Sequence, residues 1–350
     1  MSDYSNITGR KIRVGVVGCG RIAKNHLRAI GEYSDDLELV AVCDTDKAAL
    51  DAAVSEGVSG FGSLDTMLGD MNLDLVCLCT PSGLHAAQAA TAAKHGVNVV
   101  TEKPMATKFS DGKAMIKACE DAGVRLFVVK QNRKNATLQL LKRAVSENRF
   151  GDIKMVHMNV FWTRPQDYYD QAKWRGTWEM DGGALMNQAS HYVDLIDWLI
   201  GPVESVHAMT STTRKIEAED TAVMNVKWRS GALGSMAVTM LTYPKNLEGS
   251  ITILGTEGSI RVGGVAVNEI QLWDFADEKD YDAAIHDVSY ETTSVYGFGH
   301  GQYYQNVVNV LRGTAEPECD GWSGLRSLEL LEAAYRSARG NAAIPLPLDI

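Results

Sequence analysis

The chain has 350 residues, of which 45% are hydrophobic and 22% are charged, an ordinary globular composition at a length that predicts two domains. Its 34 basic and 44 acidic residues give a net charge of -10, which argues against a general nucleic-acid-binding protein. No segment reaches the roughly 18 apolar residues of a membrane span, and residues 1–10 lack the apolar core of a secretory signal. We therefore expect a cytoplasmic protein that binds neither nucleic acid nor membrane.

From residue 11 to residue 129, short apolar runs alternate with amphipathic segments. The runs predict five buried strands: IRVGVVG, LELVAVCD, LDLVCLCT, VNVVTE and VRLFVV. The intervening segments predict helices over 21–30, 46–55, 83–95 and 110–122. Strands buried on both faces and joined by helices form an open parallel sheet. We therefore predict an α/β fold whose N-terminal domain, residues 1–132, is a doubly wound Rossmann sheet.

After residue 133 the pattern changes to long strands joined by short turns. Helices are predicted over 136–147, 183–200, 301–312 and 322–339, and strands over 153–162, 203–213, 218–229, 232–241, 249–254, 259–262 and 266–275. Short turns favour antiparallel neighbours. Residues 133–350 therefore predict an α+β domain on a large, open, mostly antiparallel sheet.

The cysteines favour a reduced protein without a metal. Cys19, Cys43, Cys77 and Cys79 lie in or beside apolar runs that predict buried strands, where cysteine is a small core residue. No CxxC pair or histidine cluster with metal-ligand spacing accompanies them. We therefore predict neither a disulfide framework nor a metal site.

The first strand runs into a glycine-rich turn, GCGRIA, that matches the dinucleotide-binding fingerprint with Ala23 as its third small residue. Gly18 and Gly20 would let the backbone approach a pyrophosphate, and the following helix N-terminus would stabilise its charge. Arg21 and Ile22 complete the turn. A short motif of this kind is weak evidence alone, but its position between a strand and a helix is the context that nucleotide binding requires.

The second strand ends in Asp44, about 20 residues beyond the fingerprint, where a carboxylate accepts hydrogen bonds from the adenosine ribose. The charge of Asp44 would repel the 2′-phosphate of NADP, and Thr45 and Asp46 offer no arginine in its place. The pattern predicts NAD as cofactor. The alternative role for Asp44 is a cap on the next helix.

Two further strand ends supply candidate cofactor and catalytic residues. Thr80, Pro81 and His85 follow the third apolar run at the carboxyl edge of the predicted sheet, where ligands bind. Glu102 and Lys103 follow the fourth run. A desolvated lysine beside an oxidised nicotinamide favours its neutral form, which suits proton exchange with an alcohol.

His191 is the second candidate base. It lies four residues after Asn187 in the segment DGGALMNQASHYVD. If the segment is helical, the two side chains share a face, and the glycines let the backbone pass close to a ligand. Taken alone, His191 would more often be a hydrogen-bonded core residue.

These motifs together resemble the Gfo/Idh/MocA oxidoreductase family over nearly the whole chain. The resemblance implies that Lys103 and His191 flank the reacting carbon and that Trp174 and Arg175 contact the cofactor side. Asn187 departs from the family, which usually has aspartate there, so a carboxylate that orients the substrate at this position is in doubt. The resemblance also implies that the domain over residues 133–350 binds the substrate and forms the subunit contacts, in a homodimer or homotetramer, because the large sheet must cover its outer face.

A narrower resemblance is to the branch of this family that oxidises the carbon-3 hydroxyl of a UDP-linked N-acetylglucosaminuronate in bacterial O-antigen synthesis. It is carried by KQNRKNA at 130–136, FWTRP at 161–165, NQASH at 187–191 and TYPKNLEG at 242–249. It adds Gln131 to the cofactor contacts. A UDP-sugar acid is multiply anionic, and Arg133, Arg164 and Lys245 could supply positive charge. The residues expected to read sugar hydroxyls or the acetamido group are Tyr168, Tyr169, Asn187, Gln188 and Asn246.

Two alternatives remain open. The first is the same hydride chemistry on another polyol or sugar acid. The second belongs to a different class, a non-catalytic NAD-binding sensor that uses its sheet for partners. Retention of both Lys103 and His191 argues against the sensor.

Overall fold

The computed structural model describes residues 4–292 and 299–349 and divides into two compact units. The first comprises Met1–Lys130 and His300–Leu328, and the second comprises Gln131–Gly299 and Glu329–Ile350. The sequence predicts one boundary, after residue 132. In the structure, residues 300–328 instead return to the first unit, where they add a helix that packs on the helix following the glycine-rich turn.

The first unit is built on a six-stranded parallel sheet in the order β3-β2-β1-β4-β5-β6. Its strands are β1 (Ile12–Val17), β2 (Leu37–Cys43), β3 (Ser59–Phe61), β4 (Leu75–Leu78), β5 (Asn98–Thr101) and β6 (Leu126–Val128). Its helices include α1 (Ala23–Glu32), α2 (Lys47–Ala53), α3 (Leu64–Asp70), α4 (His85–Lys94), α5 (Phe109–Asp121) and α9 (His300–Leu311). The chain leaves β1 in one direction and returns to β4 on its other side, so β1 and β4 form the switch point where such sheets bind ligands.

The apolar runs form the strands because both faces of this sheet are covered. Val14 and Val16 of β1 are fully buried and share one core with Ile30 of α1 and Val307 of α9. Two short elements of this unit, β3 and α3, were not predicted from the sequence. Neither carries a strong pattern, since β3 has three residues, two of them exposed.

The second unit is built on an eight-stranded sheet in the order β13-β12-β11-β7-β10-β9-β8-β14. The strands are β7 (Ile153–Phe161), β8 (Val203–Ser211), β9 (Thr221–Trp228), β10 (Leu233–Thr239), β11 (Glu248–Gly255), β12 (Gly258–Gly263), β13 (Glu269–Phe275) and β14 (Ile344–Pro345). Its helices are α6 (Ala136–Ser146), α7 (Gln166–Asp170) and α8 (Ser190–Ile200), and α10 runs over Gly321–Gly340. Among the described strands of this second sheet, the one parallel pair is β7 with β10, and the other pairs are antiparallel. The predicted fold class is confirmed.

One face of this sheet forms the core of the second unit. Along β9, buried and exposed residues alternate, and Trp228 on the buried face donates its indole N–H to the carbonyl of Ile196 in α8. The opposite face exposes apolar side chains such as Val223 and Leu233. None of the helices among the described residues is both long enough and apolar enough to span a bilayer.

Candidate functional site

The glycine-rich turn lies at the carboxyl end of β1 and is shaped by close backbone approach. Gly18 has a φ of +87°, and a Cβ there would lie 2.7 Å from the carbonyl oxygen of Cys79, so only glycine fits without strain. Around a Cβ built on Gly20 there is open space. An open glycine turn that leads into α1 has the form of a cradle for a pyrophosphate.

Asp44 lies at the end of the neighbouring strand and holds this turn. Its Oδ2 accepts the backbone N–H of Cys19 at 2.7 Å, and its Oδ1 accepts that of Asp46 at 2.8 Å. The cap of α2 is Asp46, whose carboxylate accepts the N–H groups of Ala48 and Ala49. The alternative role of Asp44 as a helix cap is therefore filled by another residue, and Asp44 is left to shape the turn.

His85 connects two of the predicted motifs. It is buried, with Nδ1 3.0 Å from the carbonyl oxygen of Pro104 and Nε2 2.9 Å from that of Thr80. Burial lowers the pKa of His85, and a neutral imidazole can donate to only one carbonyl. The ring therefore lies between the segments that follow β4 and β5 and donates a hydrogen bond to one of them. This buried position favours a positioning role for His85 over direct catalysis.

Glu102 and Lys103 directly follow β5 at the same edge of the sheet. Lys103 is half-buried, and its backbone N–H donates to Oε2 of Glu102 at 3.1 Å. Glu102 itself is 4% exposed. Burial alone would raise the pKa of Glu102, but its hydrogen bond with His26 and the nearby ring of His300, whose Nε2 lies 3.7 Å from Oε1, hold this pKa well below its usual range. The backbone of the candidate catalytic lysine is therefore held by a buried carboxylate.

The histidines around Glu102 were not predicted from the sequence. Ligating atoms of His26, Glu102 and His300 all lie within 4.8 Å of one another, and all three side chains are buried. The residues are far apart in the chain, so no motif spacing could reveal the group. It has donor types that suit a metal, but Nε2 of His26 already lies 3.0 Å from Oε1 of Glu102 in hydrogen-bond geometry. That the protein needs no metal stays a prediction.

In the second unit, His191 follows an irregular turn. The sequence predicts one regular helix over 183–200, but the structure has a π-helix over Ala184–Gln188 and then α8 from Ser190. Asn187 and His191 consequently meet different partners. The Nε2 atom of His191 lies 3.0 Å from Nε2 of Gln131, which is fully buried. Gln131, predicted from sequence to contact the cofactor, thus also orients the candidate base.

Asn187 is paired with a carboxylate that the motif did not single out. Its side-chain amide donates to Oδ1 of Asp181, whose Oδ2 accepts the backbone N–H of Gly176 at 2.7 Å. Asp181 is 2% exposed. The amide at position 187 therefore provides a neutral contact, and a buried aspartate six residues earlier in the chain holds it in place.

Five of the predicted substrate-binding residues form one cluster in the second unit. The guanidinium groups of Arg164 and Arg175 lie 5.5 and 4.3 Å from the ring centre of Tyr168. The hydroxyl of Tyr168 accepts a hydrogen bond from Gln188 at 3.3 Å. The other members are Tyr169, whose ring packs edge-on against Tyr168, and Asn246, whose side-chain oxygen accepts the backbone N–H of Thr163. Trp174 lies beside Arg175.

The remaining two basic candidates differ. Lys245 is exposed on the loop between β10 and β11. Arg133 is buried, and its guanidinium donates two hydrogen bonds, of 2.7 and 2.6 Å, to the carboxylate of Asp194. Since this bidentate pair neutralises its charge, the structure gives Arg133 a role inside the unit and not as an anion receptor.

Both parts of the chain match known family domains. Residues 12–130 match the domain described as oxidoreductase family, NAD-binding Rossmann fold, and residues 142–348 match the oxidoreductase family C-terminal alpha/beta domain. The chain belongs to the Gfo/Idh/MocA oxidoreductase family. The cofactor predicted from Asp44 agrees with the first of these domains, and the first unit is an NAD-binding domain.

Solved structures of this family include near relatives of the chain. The WlbA dehydrogenase from Bordetella pertussis, in complex with NADH and UDP-GlcNAcA, is 63% identical with a TM-score of 0.95 over 98% of this chain and 100% of that one. The WlbA dehydrogenase from Chromobacterium violaceum, with the same two ligands, is 61% identical with a TM-score of 0.96 over 100% of each chain. Among proteins of curated function, D-apiose dehydrogenase from Paraburkholderia graminis is 27% identical over 97% of this chain and 91% of its own length.

Proposed function

We propose that this family member oxidises the carbon-3 hydroxyl of UDP-N-acetylglucosaminuronate to a ketone and reduces NAD. The proposal depends on one observation: the chain is similar, along nearly its whole length, to two dehydrogenases bound to NADH and UDP-GlcNAcA. Such a product would be ready for transamination toward a diacetamido-uronic acid of O-antigen.

The charges of the second unit support an anionic substrate. In the described parts of the chain, neither Arg164 nor Arg175 forms an ion pair with a carboxylate, and both stack on Tyr168. In a protein of net charge -10, two such guanidinium groups around one ring are placed where a carboxylate or diphosphate would be attracted. Lys245, which is exposed on the loop between β10 and β11, would add a further positive charge. The residues proposed to contact the sugar hydroxyls or the acetamido group are Tyr168, Tyr169, Asn187, Gln188 and Asn246.

For the reaction, NAD supplies the hydride acceptor when it is bound. The residues of the chain must then remove the hydroxyl proton, since hydride loss alone would leave a protonated ketone. We assign this proton to Lys103 or His191, and the other of the two would hydrogen-bond the developing alkoxide. Glu102 fixes the backbone of Lys103, and Gln131 orients the ring of His191.

The proposal is tested by following NADH formation at its near-ultraviolet absorbance. We expect turnover with UDP-N-acetylglucosaminuronate and a product that has lost two hydrogens by mass spectrometry. UDP-N-acetylglucosamine, which has a hydroxymethyl group in place of the carboxylate, is the matched control and should react poorly. Turnover of an inositol or a simple sugar acid in preference to the UDP-sugar acid would support the polyol alternative. NAD binding without turnover of any of these compounds would support the sensor.

Two further properties belong to the proposal. All six cysteines are free thiols, as expected of an enzyme that works in the reducing cytoplasm.

The outer face of the eight-stranded sheet carries exposed apolar side chains. Met209, Val223 and Leu233 have exposed fractions of 60, 42 and 52%. Exposed apolar side chains grouped on one sheet face are typical of a protein interface. We infer that the partner is a second copy of the chain, in a homodimer or homotetramer.

A further inference from the structure

A buried acid, Glu219, supports the turn that leads to His191. Glu219 lies two residues before the start of β9 and is 2% exposed. It packs so closely on Gly183 that a Cβ built there would overlap its carboxyl group. This contact gives a physical reason for glycine at position 183. Neither the glycine motif nor the chemistry above accounts for an acid at this place.

Three consecutive N–H groups at the start of the π-helix are bonded by Glu219 and by Tyr335, which is itself hydrogen-bonded to Glu219. The N–H of Ala184 donates to the backbone carbonyl of Glu219 at 2.8 Å, and that of Leu185 donates to its Oε1 at 2.9 Å. The N–H of Met186 donates to the hydroxyl of Tyr335 at 3.1 Å, and this hydroxyl in turn lies 2.9 Å from the same Oε1. Helix starts leave such donors without intrahelical partners. Here they are fixed by Glu219 and Tyr335.

The geometry suits a protonated carboxyl group. Oε1 accepts both hydrogen bonds, while Oε2 is buried without a hydrogen-bond partner among the described residues. Burial raises the pKa of Glu219 to about 7, and the charge of Asp220 adds to this, while the bonds from Leu185 and Tyr335 oppose it. Burial also holds the pKa of Tyr335 well above its usual value, so its hydroxyl keeps its proton.

We propose that Glu219 and Tyr335 are positioning residues, and that Glu219 acts as a neutral acid that holds the π-helix so that Asn187, Gln188 and His191 meet the substrate. The proposal rests on the proposed function for its activity readout. It has a second readout that needs no substrate, which is hydrogen exchange of the backbone amides in the peptide 183–191. The two proposals can therefore fail separately.

The test compares Glu219→Ala, Glu219→Gln and Tyr335→Phe with the parent protein. Glu219→Ala removes the acceptor of Leu185 and should speed exchange in peptide 183–191 and lower kcat/KM for the sugar nucleotide by about 100-fold, as a misplaced catalytic group does. Glu219→Gln keeps an uncharged acceptor of the same shape and should stay within about threefold of the parent at pH 7. Tyr335→Phe should speed exchange at Met186 and give an intermediate loss. The KM for NAD should be unchanged in all three.

The pH profile separates positioning from simple structural support. As pH rises from 6 to about 8.5, Glu219 of the parent loses its proton, whereas glutamine at this position stays uncharged. The activity of Glu219→Gln relative to the parent should therefore rise. The proposal is overturned if Glu219→Gln is as impaired as Glu219→Ala, because a charge is then needed. It is equally overturned if exchange in peptide 183–191 is unchanged in Glu219→Ala and Tyr335→Phe. Should Glu219→Ala fail to fold, Tyr335→Phe and Glu219→Gln decide the question.

Discussion

In the first unit, Nε2 of His26 lies 3.0 Å from Oε1 of Glu102, and both side chains are buried. The other ring nitrogen of His26 lies 2.7 Å from the hydroxyl of Tyr304 in α9. Because Oε2 of Glu102 accepts the backbone N–H of Lys103, one carboxylate links α1, which follows the glycine-rich turn, to the candidate catalytic lysine. The cofactor-binding edge and Lys103 therefore share a buried support.

We predict that this pair is energetically coupled. Removing one partner of a buried, hydrogen-bonded ion pair costs about 3–5 kcal/mol because the other charge is left uncompensated. His26→Gln and Glu102→Gln should each lower the free energy of unfolding in urea by that order, and the double variant should cost clearly less than the two single costs together. Strict additivity of the two costs would show that the residues do not act as a pair.

The two candidate bases should be essential for turnover but not for folding. Lys103→Ala and His191→Asn should each reduce kcat by about 100-fold or more, which is the usual contribution of a positioned acid or base. Thermal melting and NAD affinity should be near those of the parent. Lys108→Ala is the matched control, since Lys108 is an exposed lysine on the same segment. Near-normal turnover of Lys103→Ala or His191→Asn would remove that residue from the mechanism.

Asp44 should set the choice between NAD and NADP. Its carboxylate both holds the backbone of Cys19 and would repel a 2′-phosphate. Asp44→Ala should raise the KM for NAD and reduce the preference for NAD over NADP, as a ratio of kcat/KM values, by about 10-fold or more, since loss of one charge–charge repulsion is worth at least 1.4 kcal/mol in a site of low dielectric. An unchanged preference ratio would mean that other residues exclude the phosphate.

Much of the first unit was accessible from sequence because strands buried on both faces produce continuous apolar runs. The glycine turn, Asp44 and the Glu102–Lys103 motif follow directly from the ends of those runs. The network of His26, Glu102 and His300 was not accessible, because its members are brought together only when α9 returns to this unit.

In the second unit, alternation predicted the sheet, but the start of the helix at 183 was predicted as regular. The structure has a π-helix there. Its cause is tertiary, since the N–H groups of the turn are held by Glu219 and Tyr335 from distant parts of the chain. The pairing of Arg133 with Asp194 was likewise hidden, because an isolated arginine in sequence carries no sign of its partner.

Glu219 should also make the stability of the protein depend on pH. Its pKa is raised to about 7 in the folded protein, against 4.5 as the ordinary value. For an acid with a raised folded pKa, the stabilising contribution is complete below the ordinary pKa and is lost as pH rises through the folded one. At about 1.4 kcal/mol per pKa unit, the parent should lose about 3 kcal/mol relative to Glu219→Gln between pH 4.5 and pH 7.5.

Urea unfolding of the two proteins at a series of pH values measures this difference directly. Asp152→Asn, at an exposed position on the surface of the same unit, is a suitable control and should show no comparable trend. A difference between the parent and Glu219→Gln that stays constant over this range would show that Glu219 has the same protonation in the folded and unfolded states.

The proposed chemistry is tested most directly by a crystal structure with NAD and UDP-N-acetylglucosaminuronate bound together. We expect carbon 3 of the sugar to face the nicotinamide ring, with Lys103 and His191 both within hydrogen-bond distance of its hydroxyl. A complex in which another carbon faces the ring, or in which only one of these two side chains reaches the sugar, would refute the proposed chemistry.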